Sequence, residues 1–170
     1  MLPPAVSLCI GAAWRQPDQG TVRVSIIQPN VDCYDKFHGD VSRQERNLID
    51  LIGQVPSDAQ FILLPETAVP DYYWEPALST TPDDSAAGPF WQELADSLRT
   101  GHPDALLITG ANTLRRYEAG AQSRTARLNR ADGSYYDIFN SAVGLDSAGR
   151  IQLHHKGRLV IGVENTPTWV

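Results

Sequence analysis

The chain has 170 residues, and its 14 lysines and arginines against 20 aspartates and glutamates give a net charge of −6 with neutral histidines. This length suits one ordinary domain or part of one. An acidic chain without a basic run argues against a nucleic-acid surface, which needs clustered Lys and Arg to neutralise phosphates. We therefore expect no nucleic-acid partner.

The two cysteines, Cys9 and Cys33, form no C-x-x-C pair, and no histidines stand at the spacing of zinc ligands. The sequence therefore indicates neither a disulfide framework nor a metal site. We expect no metal and no other cofactor.

Residues 1–20 form an apolar stub followed by a linker. The apolar part, residues 1–13, is shorter than the roughly 20 residues of a spanning helix, and it lacks the basic segment of a signal peptide. The chain alone is therefore predicted not to span a membrane. Trp14 and Arg15 favour a membrane boundary, so the stub is either the end of a transmembrane helix or a disordered or docked tail.

From residue 21 onward, the pattern alternates between strands and helices. Residues 21–28 are β-branched and partly alternating, which predicts a strand. The capping-box spacing of Ser42 and Glu45 predicts the start of a helix. This helix carries an apolar stripe at helical spacing, formed by Leu48, Leu51, Ile52 and Val55.

The next apolar run is Phe61–Leu64, which is continuous and ends at a proline. Such a run predicts a strand buried on both faces. Residues 71–88 follow it and are rich in Pro, Asp, Ser and Thr. They are predicted to form a long loop with a binding role.

A second helix is predicted to begin near Pro89, because proline is tolerated at the first helical position. Its apolar side consists of Phe90, Trp91, Leu94 and Leu98. The next buried strand, residues 105–109, is expected to end at Gly110.

The remaining pattern is antiparallel. Strands are predicted at 125–128, 135–145 and 151–155, with turns at Asp132-Gly133 and at 146–149. Alternating strands and helices followed by hairpins indicate an α/β layered domain.

Two charged residues stand at the ends of predicted strands. Glu66 follows a buried strand, and open α/β sheets bind ligands at the carboxyl ends of their strands. A carboxylate partly removed from water there suits a general base, although a loop carboxylate that caps the next segment is also consistent. Lys156 is suited to stabilising an oxyanion or to lying in solvent. His154 and His155 should face opposite sides of their strand, as packing and surface residues.

Five motifs follow one another along the chain. They are I-Q-P-N-V-D-x-Y-D-K-F at 27–37, L-P-E-T-A at 64–68, F-N-S-A at 139–142, D-x-x-G-R-I at 146–151 and H-K-G-R-L-V-x-G-V-E at 155–164. Together they resemble the nitrilase-superfamily domain of apolipoprotein N-acyltransferases. The first motif resembles the branch found in Bacteroidetes-like bacteria.

The resemblance implies that residues 21–170 are the N-terminal part of a nitrilase-like (carbon-nitrogen hydrolase) domain, an α-β-β-α sandwich that is incomplete here. By motif, Glu66 matches the general base, Lys156 the lysine that stabilises the oxyanion, and Glu164 a second glutamate beside them. In such enzymes a cysteine thiolate takes an acyl chain from a phospholipid and passes it to a diacylglyceryl lipoprotein. The resemblance further implies the bacterial inner membrane, with the catalytic domain on the periplasmic side.

The nucleophilic cysteine of this family lies on a strand beyond the lysine motif. Cys9 lies in the apolar stub, and Cys33 stands where relatives tend to carry proline, so neither is expected to replace it. We therefore expect the chain to be part of a longer acyltransferase whose further N-terminal helices attach it to the membrane. By itself the chain is expected to be inactive.

Two other hypotheses stay open: a soluble carbon-nitrogen hydrolase that acts on an amide or nitrile, and a non-catalytic remnant. The remnant would expose sheet edges and an apolar face, and would tend to self-associate. The apolar stub and the motif at 27–37 favour the acyltransferase. If Glu66 and Lys156 share a site, their side chains should lie within about 5 Å of each other.

Overall fold

A computed structural model describes residues 6, 20–32, 36, 39–75, 88–118 and 120–157. The elements within these residues are, in chain order, β1 (Val24–Ile26), α1 (Val41–Gly53), β2 (Phe61–Leu63), β3 (Tyr73–Trp74), α2 (Pro89–Gly101), β4 (Leu106–Tyr117), β5 (Arg127–Leu128), β6 (Tyr135–Asp146) and β7 (Ile151–His155). The strands form one mixed sheet. The prediction of an α/β domain is therefore confirmed at this level.

The sheet has a parallel half and an antiparallel half. β1, β2 and β4 are parallel neighbours, and the short strand β3 also runs parallel to β4. β6 is antiparallel to β4 along the full length of both strands, and it pairs with β5 and β7 as well. The strand-helix-strand segments therefore build the parallel half, and the predicted hairpins build the antiparallel half.

One buried cluster joins the two helices to the sheet. It includes the helical residues Leu48, Ile52, Trp91, Leu94 and Leu98 and the strand residues Ile62, Leu107 and Val143. Burying one side chain of this size stabilises the fold by about 1.5–3 kcal/mol. The apolar stripes predicted for the helices are thus the surfaces that hold them on the sheet.

The opposite face of the sheet is less covered. Ile26 is 78% exposed and Val24 is 45% exposed. Their neighbours Phe61 and Leu63 are only half-buried. Side chains alternate along a strand, so these four residues point away from the helices. The prediction that the strand at 61–64 is buried on both faces is therefore wrong for the described part of the chain.

The first helix begins earlier than the capping-box spacing predicted. Asp40 is the N-cap, and its carboxylate accepts a hydrogen bond from the backbone N–H of Arg43 at 3.1 Å. Ser42 therefore lies inside the helix. The helix ends before Val55, which still packs against the core. The second helix begins at Pro89 as predicted, because the first helical position needs no N–H donor.

The strands in the middle of the chain differ in length from the prediction. β4 does not end at Gly110 but continues to Tyr117, because β6 provides backbone partners along its whole length. β1 covers three residues of the strand predicted at 21–28. The loop predicted at 71–88 contains β3, whose two residues are too few to produce a sequence pattern. β7 coincides with the predicted strand.

Some predictions fall outside the described residues. Most of the stub at 1–20, both cysteines and Glu164 belong to this group. Among the helices that are described, none is long and apolar enough to cross a membrane.

Candidate active site

Glu66 lies in the loop that follows β2, and this loop runs along the neighbouring strand β4. Three backbone hydrogen bonds hold it there: Leu64 N–H to Ile108 at 2.9 Å, Gly110 N–H to Pro65 at 3.2 Å, and Val69 N–H to Gly110 at 3.3 Å. The loop follows β2, so it starts at the carboxyl end of this strand, and β4 runs in the same direction beside it. The carboxylate therefore occupies the position where open α/β sheets place their ligand sites.

Gly110 permits this close approach of the loop to the strand. A Cβ atom at Gly110 would lie 2.4 Å from the Thr67 nitrogen and 2.6 Å from the Glu66 Cα atom. Both distances are far below van der Waals contact with backbone that cannot move aside easily. Thr67 itself has a φ of 50°, which is uncommon for a β-branched residue. A tight backbone turn thus fixes where the Glu66 side chain begins.

Lys156 and Asn140 bring two polar groups to the Glu66 carboxylate from the antiparallel half of the sheet. The Lys156 backbone N–H donates to the Asn140 carbonyl at 2.8 Å. The Lys156 Nζ atom lies 3.1 Å from Glu66 Oε1, and Asn140 Nδ2 donates to the same oxygen at 2.5 Å. The distance between Lys156 Nζ and Glu66 Oε1 is within the limit of about 5 Å expected for a shared site.

Glu66 is also contacted by the other lysine of the chain. The sequence contains two lysines, Lys36 and Lys156. Lys36 Nζ donates to the backbone carbonyl of Glu66 at 3.2 Å. One lysine therefore holds the loop, and the other binds the carboxylate.

An open cavity of about 480 Å³ lies beside these groups. Its polar lining residues include Glu66, Asn140, His154 and Lys156, and its apolar ones are Leu64, Ile108 and Ala142. This volume is in the range of cavities that bind small molecules or part of a larger ligand. A reactant held there would contact both the carboxylate and the ammonium group.

The Glu66 carboxylate is more exposed than its place after a buried strand predicted. Its side chain is 62% exposed, and that of Lys156 is 31% exposed. The carboxylate is therefore removed from water less than expected, because the described residues leave this face of the sheet largely open to solvent. An ion pair this exposed contributes little to stability.

The two adjacent histidines do face opposite sides of β7. His154 lines the cavity, whereas His155 contacts Ser141 and Arg115 in a separate polar cluster. Asn140 was missed as a site residue, although it belongs to the F-N-S-A motif. The position of Asn140 in the site depends on strand pairing. Its neighbour Ser141 pairs with His155 of β7, and His155 is the neighbour of Lys156.

The described residues form a mixed α/β domain with a Glu-Lys pair where the parallel strands end. Within them, no group of three or more His, Cys, Asp or Glu side chains is placed to hold a metal ion. No protein-family model matches the chain, and no curated protein matches it.

Proposed function

We propose that this chain supplies the glutamate and the lysine of a thiol-dependent acyltransferase of the apolipoprotein N-acyltransferase type. The observation that carries the proposal is the 3.1 Å contact between Lys156 Nζ and Glu66 Oε1 beside an open cavity. A carboxylate base next to an ammonium group is the pair that thioester chemistry on a carbonyl needs. These two residues are also the ones to which the motif resemblance assigns the roles of general base and oxyanion-stabilising lysine.

In the first step, Glu66 takes the proton from a cysteine thiol, and the thiolate attacks the ester carbonyl of a phospholipid. Lys156 stabilises the negative charge on the carbonyl oxygen. The ester C–O bond then breaks, the proton passes from Glu66 to the leaving alkoxide, and the acyl chain remains as a thioester.

In the second step, the α-amine of a lipoprotein's lipidated N-terminal cysteine attacks the thioester carbonyl. Glu66 accepts the proton of the amine, the C–S bond breaks, and the thiolate is protonated again. The product is an amide, so no oxidant, reductant or metal is consumed. By the motif resemblance, Glu164 is proposed as the second glutamate of the site.

The thiol is proposed to come from outside these 170 residues, because neither Cys9 nor Cys33 matches the nucleophile by motif. Membrane attachment and a periplasmic orientation in a bacterial inner membrane belong to the same proposal. The apolar surface of Leu64, Ile108 and Ala142 in the cavity is compatible with an acyl chain.

The test starts from the genomic DNA on both sides of this coding stretch. The complete reading frame is expressed in bacterial membranes and incubated with phospholipid and a diacylglyceryl peptide. Mass spectrometry should show the peptide gaining one acyl chain. Glu66→Gln and Lys156→Met should each reduce the rate by about 100-fold or more.

The matched control is Glu93→Gln, an exposed carboxylate on α2, which should leave the rate unchanged. Hydrolysis of simple amides without acylation of the peptide would instead identify a carbon-nitrogen hydrolase. A reading frame without a downstream strand-borne cysteine, together with no acyl transfer, would refute the enzyme assignment.

A further inference from the structure

A second polar cluster lies behind the candidate site, on the face of the sheet that the helices cover. It is centred on Glu75, whose side chain is 5% exposed. Arg115 donates from Nε to Glu75 Oε2 at 2.8 Å, and its Nη2 atom lies 2.8 Å from the same oxygen as an ion pair. Thr113 donates its hydroxyl to Glu75 Oε1 at 2.7 Å. The buried carboxylate thus has the guanidinium and hydrogen-bond partners that a buried charge requires.

His155 is held by the same cluster on several sides. Its Nδ1 atom lies 2.9 Å from Ser141 Oγ, and its Nε2 atom lies 2.9 Å from Arg115 Nη2. The imidazole also packs against Phe139, with the ring centroids 4.1 Å apart. The Arg115 guanidinium lies over the Phe139 ring, with its Cζ atom 5.0 Å from the ring centroid. Both the position and the orientation of the imidazole are therefore restrained.

The hydroxyl hydrogen bonds of the cluster run in one direction toward Glu75. Thr113 gives its single hydroxyl proton to the Glu75 carboxylate, so it accepts from Ser141 at 2.9 Å, and Ser141 in turn accepts from His155 Nδ1. His155 Nε2 also lies 3.3 Å from Glu75 Oε1, which is a direct contact of the imidazole with the carboxylate. Because the chain of donors ends on this carboxylate, replacing it disturbs the partners of every member.

Neighbouring residues in β6 and β7 connect this cluster to the candidate site. Ser141 pairs with His155 across the two strands. Asn140 and Lys156, the next residues along, point to the opposite face and contact Glu66 there. Any movement of His155 is therefore passed directly to the backbone of Lys156.

Lys156 follows the last paired residue of a strand at the edge of the sheet. In the described part of the sheet, β7 pairs with β6 and with no other strand. The end of an edge strand frays readily, because few buried contacts and hydrogen bonds hold it. The side-chain contacts of His155 supply an anchor at this end.

We propose that Glu75 is a positioning residue for Lys156. Through Arg115 and the hydroxyls of Thr113 and Ser141, Glu75 fixes His155 at the end of β7, and this keeps the Lys156 ammonium beside Glu66. The inference rests on the proposed function, in which Lys156 stabilises the oxyanion. Glu75 itself stays on the other face of the sheet and contacts no reactant.

The test uses the two lysines of the 170-residue chain as spectroscopic probes. With ¹³C at lysine Cε, the chain gives two side-chain signals, which Lys36→Arg assigns. Lowering the pH from about 7 to about 3 protonates carboxylates and thereby changes the chemical shift of the Lys156 signal. The part of this change that is absent in Glu66→Gln measures the coupling of Lys156 to Glu66. Glu75→Gln should reduce that part at least about threefold, because Coulomb coupling falls with distance and screening.

Ser141→Ala is a second variant that interrupts the donor chain with little change in volume, and it should reduce the coupling in the same direction. Asp137→Asn is the matched control. Asp137 is also a buried carboxylate of β6, but it binds the hydroxyls of Tyr117, Ser123 and Thr125 away from the site. Its replacement should lower stability and leave the Lys156 coupling intact.

The proposal is overturned if a folded Glu75→Gln chain keeps the full Lys156 coupling, or if Asp137→Asn loses as much of it. Should Glu75→Gln fail to fold, an undiminished coupling in Ser141→Ala overturns the proposal instead. Because the readout requires no turnover, a negative acyl-transfer assay with an intact Lys156 response would refute the proposed function separately from the positioning role.

Discussion

The Lys156 ammonium lies 3.1 Å from the Glu66 carboxylate, although 90 positions separate the two residues in the sequence. The pairing of β6 with β4 and β7 creates this contact, because it places the end of β7 beside the loop that follows β2. Asn140 binds the same carboxylate oxygen from β6. The site therefore depends on the relative placement of three strands.

Replacing Lys156 with methionine should separate stability from activity. The ion pair is largely exposed, so the free energy of unfolding should change by less than about 1 kcal/mol. The acyl-transfer rate of the complete protein should fall by about 100-fold or more, since a transition-state charge loses its partner. Urea unfolding and the mass-spectrometric assay measure the two quantities. Arg127→Met, at an exposed position on β5, is the control and should change neither.

Replacing Gly110 with alanine should displace the loop that carries Glu66. The new Cβ atom would overlap the backbone at Glu66 and Thr67, so a loss of stability of about 1–3 kcal/mol is expected, with a weaker coupling between Glu66 and Lys156. Gly144→Ala is the matched control on the same face of the sheet, because its nearest neighbour would be an ordinary 3.7 Å away. Equal losses in both variants would contradict the steric explanation.

Replacing Asn140 with aspartate should break the arrangement around Glu66. The substitution exchanges an N–H donor for a second negative charge near the carboxylate, and like charges at this distance repel. The acyl-transfer rate should drop at least about tenfold, since a misplaced base is inefficient. Asn47→Asp, which adds the same charge at an exposed position on α1, should leave the rate unchanged. A variant at Asn140 with full activity would show that its hydrogen bond is dispensable.

Asp71 should make stability depend on pH. Burial raises the pKa of Asp71 above its ordinary value, so the folded state holds this proton more tightly than the unfolded state. Its stabilising contribution is fully present below the unfolded pKa of about 3.9, and it is lost as the pH rises through the folded pKa. Asp71→Asn should therefore raise stability near neutral pH, by less than about 1 kcal/mol because the group is partly solvated.

Urea unfolding at about pH 3 and about pH 7 measures the difference in free energy of unfolding between Asp71→Asn and the unchanged chain. This difference should be close to zero at the lower pH. Burial, and then the charge of Asp71, raises the pKa of Glu45. The same variant should therefore lower the pKa of Glu45, as a carboxylate NMR titration would show. Asp50→Asn, at an exposed position on α1, is the control. A stabilisation that persists at the lower pH would contradict the electrostatic cause.

Local patterns predicted those elements whose residues carry a regular signal. α2 begins at Pro89 and buries its apolar stripe, and β7 spans the predicted residues, because periodicity and turn residues act over a few positions. The predicted start of α1 was wrong, because Asp40 rather than Ser42 accepts the capping hydrogen bond. The extension of β4 past Gly110 was also missed, because its partner strand lies farther along the chain.

Hydrophobic runs and turn residues are enough to place Glu66 after a strand and Lys156 at the end of one, because these signals act over a few positions. That the two side chains meet, that Asn140 joins them, and that Glu75 and His155 form a cluster behind them follows from the way the strands pack together. Such contacts depend on hydrogen-bond register between distant strands and on a close backbone approach at Gly110. Local propensity carries no information about either.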